Sequence, residues 1–299
     1  MLKQKVLVTG SEGLIGSRLC VVLEECGYAV RRFDILGDGE AFGDVCDRGV
    51  LKRAMVDCSG VIHLAAVSRV VWGEKDPQKC TETNVSGTAN VINCAHASAQ
   101  APWLVFGSSR EVYGQSNQLP VTERSELQPM NHYARTKVAA EELVSRATDA
   151  GLVSSILRFS TVYGSVHDHR DRLVPAFCRA AISGRNLRVD GKNNSLDITH
   201  VDDVCASIVK VAEALASGRA LPPMHFTSGT STGLLRLAKL IIGLSLSESD
   251  IDFEAPRSFD VANFVGDSDL ARREVGWEPK TSLEHGLAKL ISELRSRGV

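Results

Sequence analysis

The run Gly10-Ser-Glu-Gly13-Leu-Ile-Gly16 restricts this chain more than any other feature. Val6–Thr9 before it reads as a short β-strand. Leu14–Glu25 after it reads as a helix, with apolar residues at Leu14, Ile15, Leu19, Val22 and Leu23. In that context Gly10 permits the tight strand-to-helix turn, Gly13 lets backbone approach a pyrophosphate, and Gly16 lets helix and sheet pack closely. The helix N-terminus offers free N–H groups and a positive dipole end to phosphates. Turns use glycine for conformational reasons alone, so the second element of the pattern matters. Asp34 ends the next strand, Ala29–Asp34, 18 residues after Gly16, where a carboxylate can hold a ribose diol. That carboxylate would repel a 2′-phosphate, and Ile35 and Leu36 follow it where an arginine clamp is usual, so the pattern favours NAD over NADP.

Further strands are expected at Gly60–Leu64, Trp103–Phe106 and Val153–Phe159. Helices are expected from the Asp76-Pro77 start, at Asn84–Ala97 and at Tyr133–Ala150. This alternation implies an α/β fold, a Rossmann-type doubly wound parallel sheet with helices on both faces. Past Gly164 the rhythm loosens. Helices read at Pro175–Ser183, Val201–Ser217, Thr232–Gly243 and Ser282–Arg297, with strands at Asn186–Val189 and Met224–Thr227. The expected organisation is an NAD-binding Rossmann domain over 1–164, to which the chain returns around 196–215. A smaller C-terminal α/β substrate-binding domain, mainly 165–299, would lie over the sheet's carboxyl edge.

Charge excludes one class of function. Lys+Arg 34 against Asp+Glu 36 gives a net of -2, which argues against a nucleic-acid binder relying on bulk positive charge. No apolar run approaches the ~18 residues of a membrane span, and MLKQKVLVTG lacks the h-region of a signal peptide. The eight cysteines are scattered without a Cys-x-x-Cys pair, so they read as reduced core residues of a cytoplasmic protein. His167-Asp-His169 lacks a third and fourth ligand at usual spacing, and no metal is expected.

Tyr133-Ala-Arg-Thr-Lys137 opens a helix and places phenol and ammonium on one face. A phenol with pKa near ~10 is a poor base at neutral pH. A fixed ammonium nearby favours phenolate, and such a tyrosine can take a proton from a sugar hydroxyl while hydride leaves the same carbon for nicotinamide. Alone, Tyr-x-x-x-Lys is more often an exposed helix face; beside the glycine loop it carries weight.

Several further motifs occur in order: Gly43-Asp44-Val45, His63-Leu64-Ala65-Ala66, Asn84-Val-Ser-Gly87-Thr and Ser108-Ser109-Arg110-Glu111-Val-Tyr113-Gly114. Arg158-Phe-x-x-Val-Tyr163-Gly164, Leu196-Asp197-Ile-x-x-Val201-Asp202-Asp203 and Arg257-x-x-Asp260 follow. With these the chain resembles the extended short-chain dehydrogenase/reductase family, in its nucleotide-sugar epimerase/dehydratase branch. The resemblance implies NAD contacts at Gly10, Gly13, Leu14, Ile15, Gly16, Asp34, Asp44, Val45, Leu64, Ala65, Ala66, Tyr133 and Lys137. It implies Tyr133 as base, Lys137 as its tuner, Ser109 as the hydroxyl that binds the reacting sugar oxygen, and Glu111 as an auxiliary group. Substrate contacts are expected at Ser109, Arg110, Thr161, Arg172 and Arg257, and a homodimer through helices Asn84–Ala97 and Tyr133–Arg146.

The reaction this implies is 4-epimerisation of a UDP-hexose or UDP-uronic acid. A decarboxylase or dehydratase using Glu111, or a net NAD(P)-dependent reductase, are the alternatives, as is an NAD-binding redox sensor without turnover. Three departures bear on the choice. Arg110 stands where a 4,6-dehydratase carries its proton-donating aspartate, and guanidinium does not serve as that acid. Leu196 replaces a phosphate-binding arginine, and Thr161 a substrate-contacting asparagine. Arg172, Arg185 or Arg188 could restore the missing charge. Arg110 and Glu111 could equally be a charged pair that shapes the loop.

Overall fold

A computed structural model describes residues 4–298; residues 1–3, where the segment read for a signal peptide begins, and 299 lie outside the described residues. The first half runs β1 (Lys5–Thr9), α1 (Leu14–Glu25), β2 (Ala29–Phe33), α2 (Arg48–Ala54), β3 (Gly60–His63), α3 (Val70–Lys75), α4 (Pro77–Thr81), α5 (Gly87–His96), β4 (Trp103–Ser109), α6 (His132–Asp149) and β5 (Ser154–Phe159). The second half runs β6 (Thr161–Tyr163), α7 (Leu173–Ile182), β7 (Leu187–Asp190), β8 (Ser195–His200), α8 (Val201–Ala216), β9 (Met224–Phe226), β10 (Ser231–Gly233), α9 (Leu234–Leu244), β11 (Ile251–Glu254), α10 (Asp269–Val275) and α11 (Leu283–Ser296).

Six strands form a parallel sheet in the order β2-β1-β3-β4-β5-β9. Its strands are near-continuous apolar runs such as Val6, Leu7 and Val8, because both faces are covered. Leu19 and Leu23 of α1 and Val204 and Ile208 of α8 cover one face; Leu51 of α2, Val91 of α5 and Val144 of α6 cover the other. The chain leaves β1 to one side for β2 and then crosses to β3 on the other, so a crevice opens at the carboxyl ends of β1 and β3.

Gly16 explains how α1 sits so close to the turn. A Cβ there would lie 2.0 Å from the Gly10 carbonyl oxygen. Gly16→Ala is therefore expected to destabilise the protein by about 1–3 kcal/mol, the range of an overpacked core position. Urea unfolding monitored by circular dichroism would read the loss, and an unchanged midpoint would contradict the packing account.

The second half differs from the sequence expectation. The return to the main sheet starts at α8, extends beyond 215 through β9, which pairs with β5, and recurs at α10. Residues 195–200 pair instead with β6 and β10 in a separate three-stranded sheet. β7 pairs with β11, and α7, α9 and α11 pack over these strands around Phe177, Leu237 and Leu290. Asp202 joins the two halves, accepting from Arg18 of α1 and Lys289 of α11.

The helix expected at Asn84–Ala97 is interrupted. A π-type turn at Glu82–Ser86 joins α4 to α5, with Asn84 inside it. The Asn84 side chain accepts from the Val67 amide at 2.8 Å and donates to Thr136 Oγ1 at 2.9 Å. A helix that spends a turn on such bonds widens locally, and here it pins the segment after β3 against α6. Among the described residues no helix is long and apolar enough to cross a membrane. All eight cysteines are free thiols, six of them buried.

Candidate active site

A cavity of about 690 Å³ occupies the crevice, walled by the main sheet on one side and by β6, α7 and β8 on the other. The glycine loop reaches it through Gly10, Gly13, Leu14, Ile15 and Gly16, followed by Asp34, Asp44, Val45, Leu64, Ala65 and Ala66. Ser109, Arg110, Glu111, Tyr133, Lys137, Thr161, Arg172 and Arg257 line the remainder.

The loop end suits a dinucleotide. No side chain caps the first turn of α1, which leaves its positive end to an anion in the cavity. Asp34 is aimed by two backbone amides, Glu12 N to Oδ2 at 3.0 Å and Leu36 N to Oδ1 at 2.9 Å. Each carboxylate oxygen keeps a lone pair for a ribose hydroxyl. Arg31 bonds the Ala54 carbonyl and Arg32 pairs with Glu24, so neither answers a 2′-phosphate there. Asp44 is held by the Cys46 amide and faces Lys79.

Beyond the glycine loop stand the titratable groups. Asn131 caps α6 by accepting from the Ala134 amide, which puts Tyr133 in the first turn. Gly73 of α3 packs against the tyrosine, where a Cβ would come within 3.2 Å of the Tyr133 Cβ. Burial pushes the Tyr133 phenol up to about 12, while Ser109 and the charge of Arg172 pull it down and Glu111 adds to the rise. Burial pushes Lys137 down to about 8. Its Nζ donates to the Gly107 carbonyl at 2.7 Å and lies over the Phe106 ring. Both groups have left water, and the charge of Arg172 acts on Tyr133.

Arg110 and Glu111 form an ion pair at 2.9 Å, with the guanidinium over Phe264. Asn131 Nδ2 donates to the second Glu111 oxygen at 3.0 Å. Both carboxylate oxygens are therefore engaged. Of the arginines considered to replace the charge lost at Leu196, Arg172 lines the cavity and Arg185 and Arg188 do not. Arg188 pairs with Asp190 in solvent. Arg257 donates through Nε to Asp260 at 2.7 Å, which leaves its terminal nitrogens to a phosphate.

Two networks join residues that the sequence motifs contain, such as Ser108, Tyr113, Arg158 and Arg172, to residues that they do not. Beneath Ser109, Ser108 donates to Glu141, which Arg158 grips through Nε and Nη2. Arg158 Nη1 donates to the Tyr113 hydroxyl at 2.6 Å, and Tyr113 meets His225 Nε2. Over Tyr133, the 165–172 loop closes on the start of α3. Arg69 pairs with Asp171, Arg172 donates to the Ser68 carbonyl at 3.2 Å, and His169 stands edge-on to Trp72. The charge-rich run His167–Arg172, in which Arg172 was expected to contact substrate and no metal was expected, was the signal for the second network; nothing marked Arg69 or Trp72.

Residues 6–224 match the NAD dependent epimerase/dehydratase family. A UDP-glucose 4-epimerase of Rhizobium meliloti is 29% identical over 311 residues, covering 95% of this chain and 94% of that protein. UDP-glucuronate 4-epimerase 6 of Arabidopsis thaliana is 28% identical over 324 residues, covering 96% of this chain and 70% of that one. The crystal structure of a Thermotoga maritima UDP-glucose 4-epimerase with UDP-glucose superposes with a TM-score of 0.92 at 25% identity, covering 99% of this chain and 100% of that chain.

Proposed function

Because this chain belongs to the NAD dependent epimerase/dehydratase family, we propose that it interconverts the C4 epimers of a UDP-linked hexose or hexuronate through a transient 4-keto sugar. The observation that carries this reading is the convergence of Tyr133, Ser109 and Lys137 in the same cavity as the uncapped α1 N-terminus and Asp34. NAD, which the glycine loop and Asp34 would hold, would supply a reversible hydride acceptor at the sugar carbon. Ser109 would hold the C4 oxygen, and Tyr133 would take its proton and later give it back. Lys137, anchored on Gly107, would hydrogen-bond the nicotinamide ribose.

Glu111 supports epimerisation over elimination. A carboxylate committed to Arg110 and Asn131 is poorly placed to shuttle a proton from a sugar carbon. Arg257 would meet the diphosphate end in place of the missing charge at Leu196, and Arg172 would meet the sugar.

The test is to denature purified protein with no cofactor added and identify the released nucleotide by mass, then incubate native protein with UDP-glucose and UDP-glucuronate. Near-stoichiometric NAD and appearance of a 4-epimer without net NADH are expected. An empty protein that consumes NAD(P)H in step with substrate would sink the proposal, since hydride would then not return within one active site.

A further inference from the structure

Each arginine lining the cavity is matched by a lining carboxylate: Arg69 by Asp171, Arg110 by Glu111, Arg172 by Asp168 and Arg257 by Asp260. The Arg172–Asp168 pair matters most for the sugar. Arg172 reaches across to the Ser68 carbonyl at the start of α3, the helix whose Gly73 packs on Tyr133. Asp168 sits 3.4 Å from Arg172 Nη1 with its side chain 1% exposed. Its Oδ1 also accepts from the His169 amide, and its Oδ2 has no partner among the described residues. The negative charge is thus offset chiefly by Arg172.

In a hexuronate, C6 is attached to the neighbour of the reacting carbon. Its carboxylate must therefore lie in the Tyr133 end of the cavity whenever C4 is presented to Tyr133. There it would lose hydration and find both nearby guanidinium groups already neutralised, Arg172 by Asp168 and Arg110 by Glu111. Burying a third charge without a free partner is costly. A hydroxymethyl group in the same place needs only hydrogen bonds.

We infer that Asp168 is a specificity-determining residue, which holds Arg172 as a neutral pair beside Tyr133 and so selects an uncharged sugar over one carrying a C6 carboxylate. The inference rests on the UDP-sugar epimerase reading and decides between its two substrate classes. It is tested by calorimetric binding and by turnover of UDP-glucose and UDP-glucuronate at pH 8, with NAD-loaded wild type, Asp168→Asn and Asp168→Glu.

Wild type is expected to favour UDP-glucose by about tenfold or more, and Asp168→Asn to move the ratio toward UDP-glucuronate by a similar factor, equivalent to about 1.4 kcal/mol. Asp168→Glu, which keeps the charge, should retain the wild-type ratio, whereas a purely structural role would affect both sugars alike. A ratio in Asp168→Asn within about twofold of wild type, or a wild type that prefers UDP-glucuronate, overturns the assignment. If neither sugar turns over but the binding ratio shifts, the epimerase reading falls and the role of Asp168 stands. If turnover occurs and the ratio does not move, the reverse holds. Binding of neither sugar overturns both.

Discussion

Tyr133→Phe is expected to lower kcat for epimerisation by about 10²–10⁴-fold, the usual worth of a positioned acid–base group. The released NAD and the KM for UDP-sugar should change little. The ring still fills the pocket beside Gly73, and only the hydroxyl is lost. The effect is large because nothing nearby can substitute. Ser109 offers a weakly basic aliphatic hydroxyl, Glu111 is tied to Arg110 and Asn131, and Lys137 donates to a backbone carbonyl.

The electrostatics add a pH dependence. With the phenol at about 12 in the chain alone, bringing it near neutrality requires about 7 kcal/mol of differential stabilisation. Bound NAD adds a cationic ring, and Lys137 can contribute while it stays charged. If phenolate is the active base, as proposed, kcat/KM should rise with pH until the phenol of the loaded enzyme has ionised. It should fall again as Lys137, pushed down to about 8, loses its proton. Steady-state rates from pH 6 to 10 check both limbs. Unchanged turnover in Tyr133→Phe would remove the phenol from the proton step.

The second large effect is on folding. Arg158→Met is expected to cost about 3–5 kcal/mol, because it leaves Glu141 as an uncompensated buried charge. Arg158 holds both Glu141 oxygens and the Tyr113 hydroxyl, all buried. His225, pushed down to about 4 by burial, is neutral there and relies on Tyr113 and the Asp267 carbonyl for its bonds. The double change Arg158→Met with Glu141→Leu should recover much of the loss, since removing both charges removes the unpaired one. Urea unfolding of the two single variants and the double would show it. A strictly additive cycle would mean that the pair is not coupled.

The same network places Ser109. Ser108 hands its hydroxyl to Glu141, one turn beyond Lys137 on α6, so β4 and α6 are held at a common depth. Surviving Arg158→Met protein should therefore lose kcat more than it raises KM, as expected when groups needed in the transition state are misplaced.

How much of this was legible in the chain follows a physical division. Local rules decided the elements whose signals are short-range. Gly10, Gly13 and Gly16 encode a turn and a close approach that few other residues tolerate, β1 and β4 are apolar runs buried on both faces, and Asn131 and Asp76 cap the helices they precede. The spacing from Gly16 to Asp34 then marked a candidate dinucleotide end, and the family resemblance pointed to Ser109 and Tyr133, which line the same cavity. The tertiary structure decided what depends on residues distant in sequence. β6, β8 and β10 are three to six residues long and exist only through pairing across the chain. The pairing of Arg172 with Asp168 over Tyr133, the engagement of Glu111, and the direction of Lys137 toward Gly107 arise where separate loops meet. Burial, which sets the sign of the Tyr133 and Lys137 shifts, is a property of the packed whole. Sequence by itself therefore determined the class of fold; packing decided which charged groups share the cavity and which are paired there, because desolvation and pairing act through space and not along the chain.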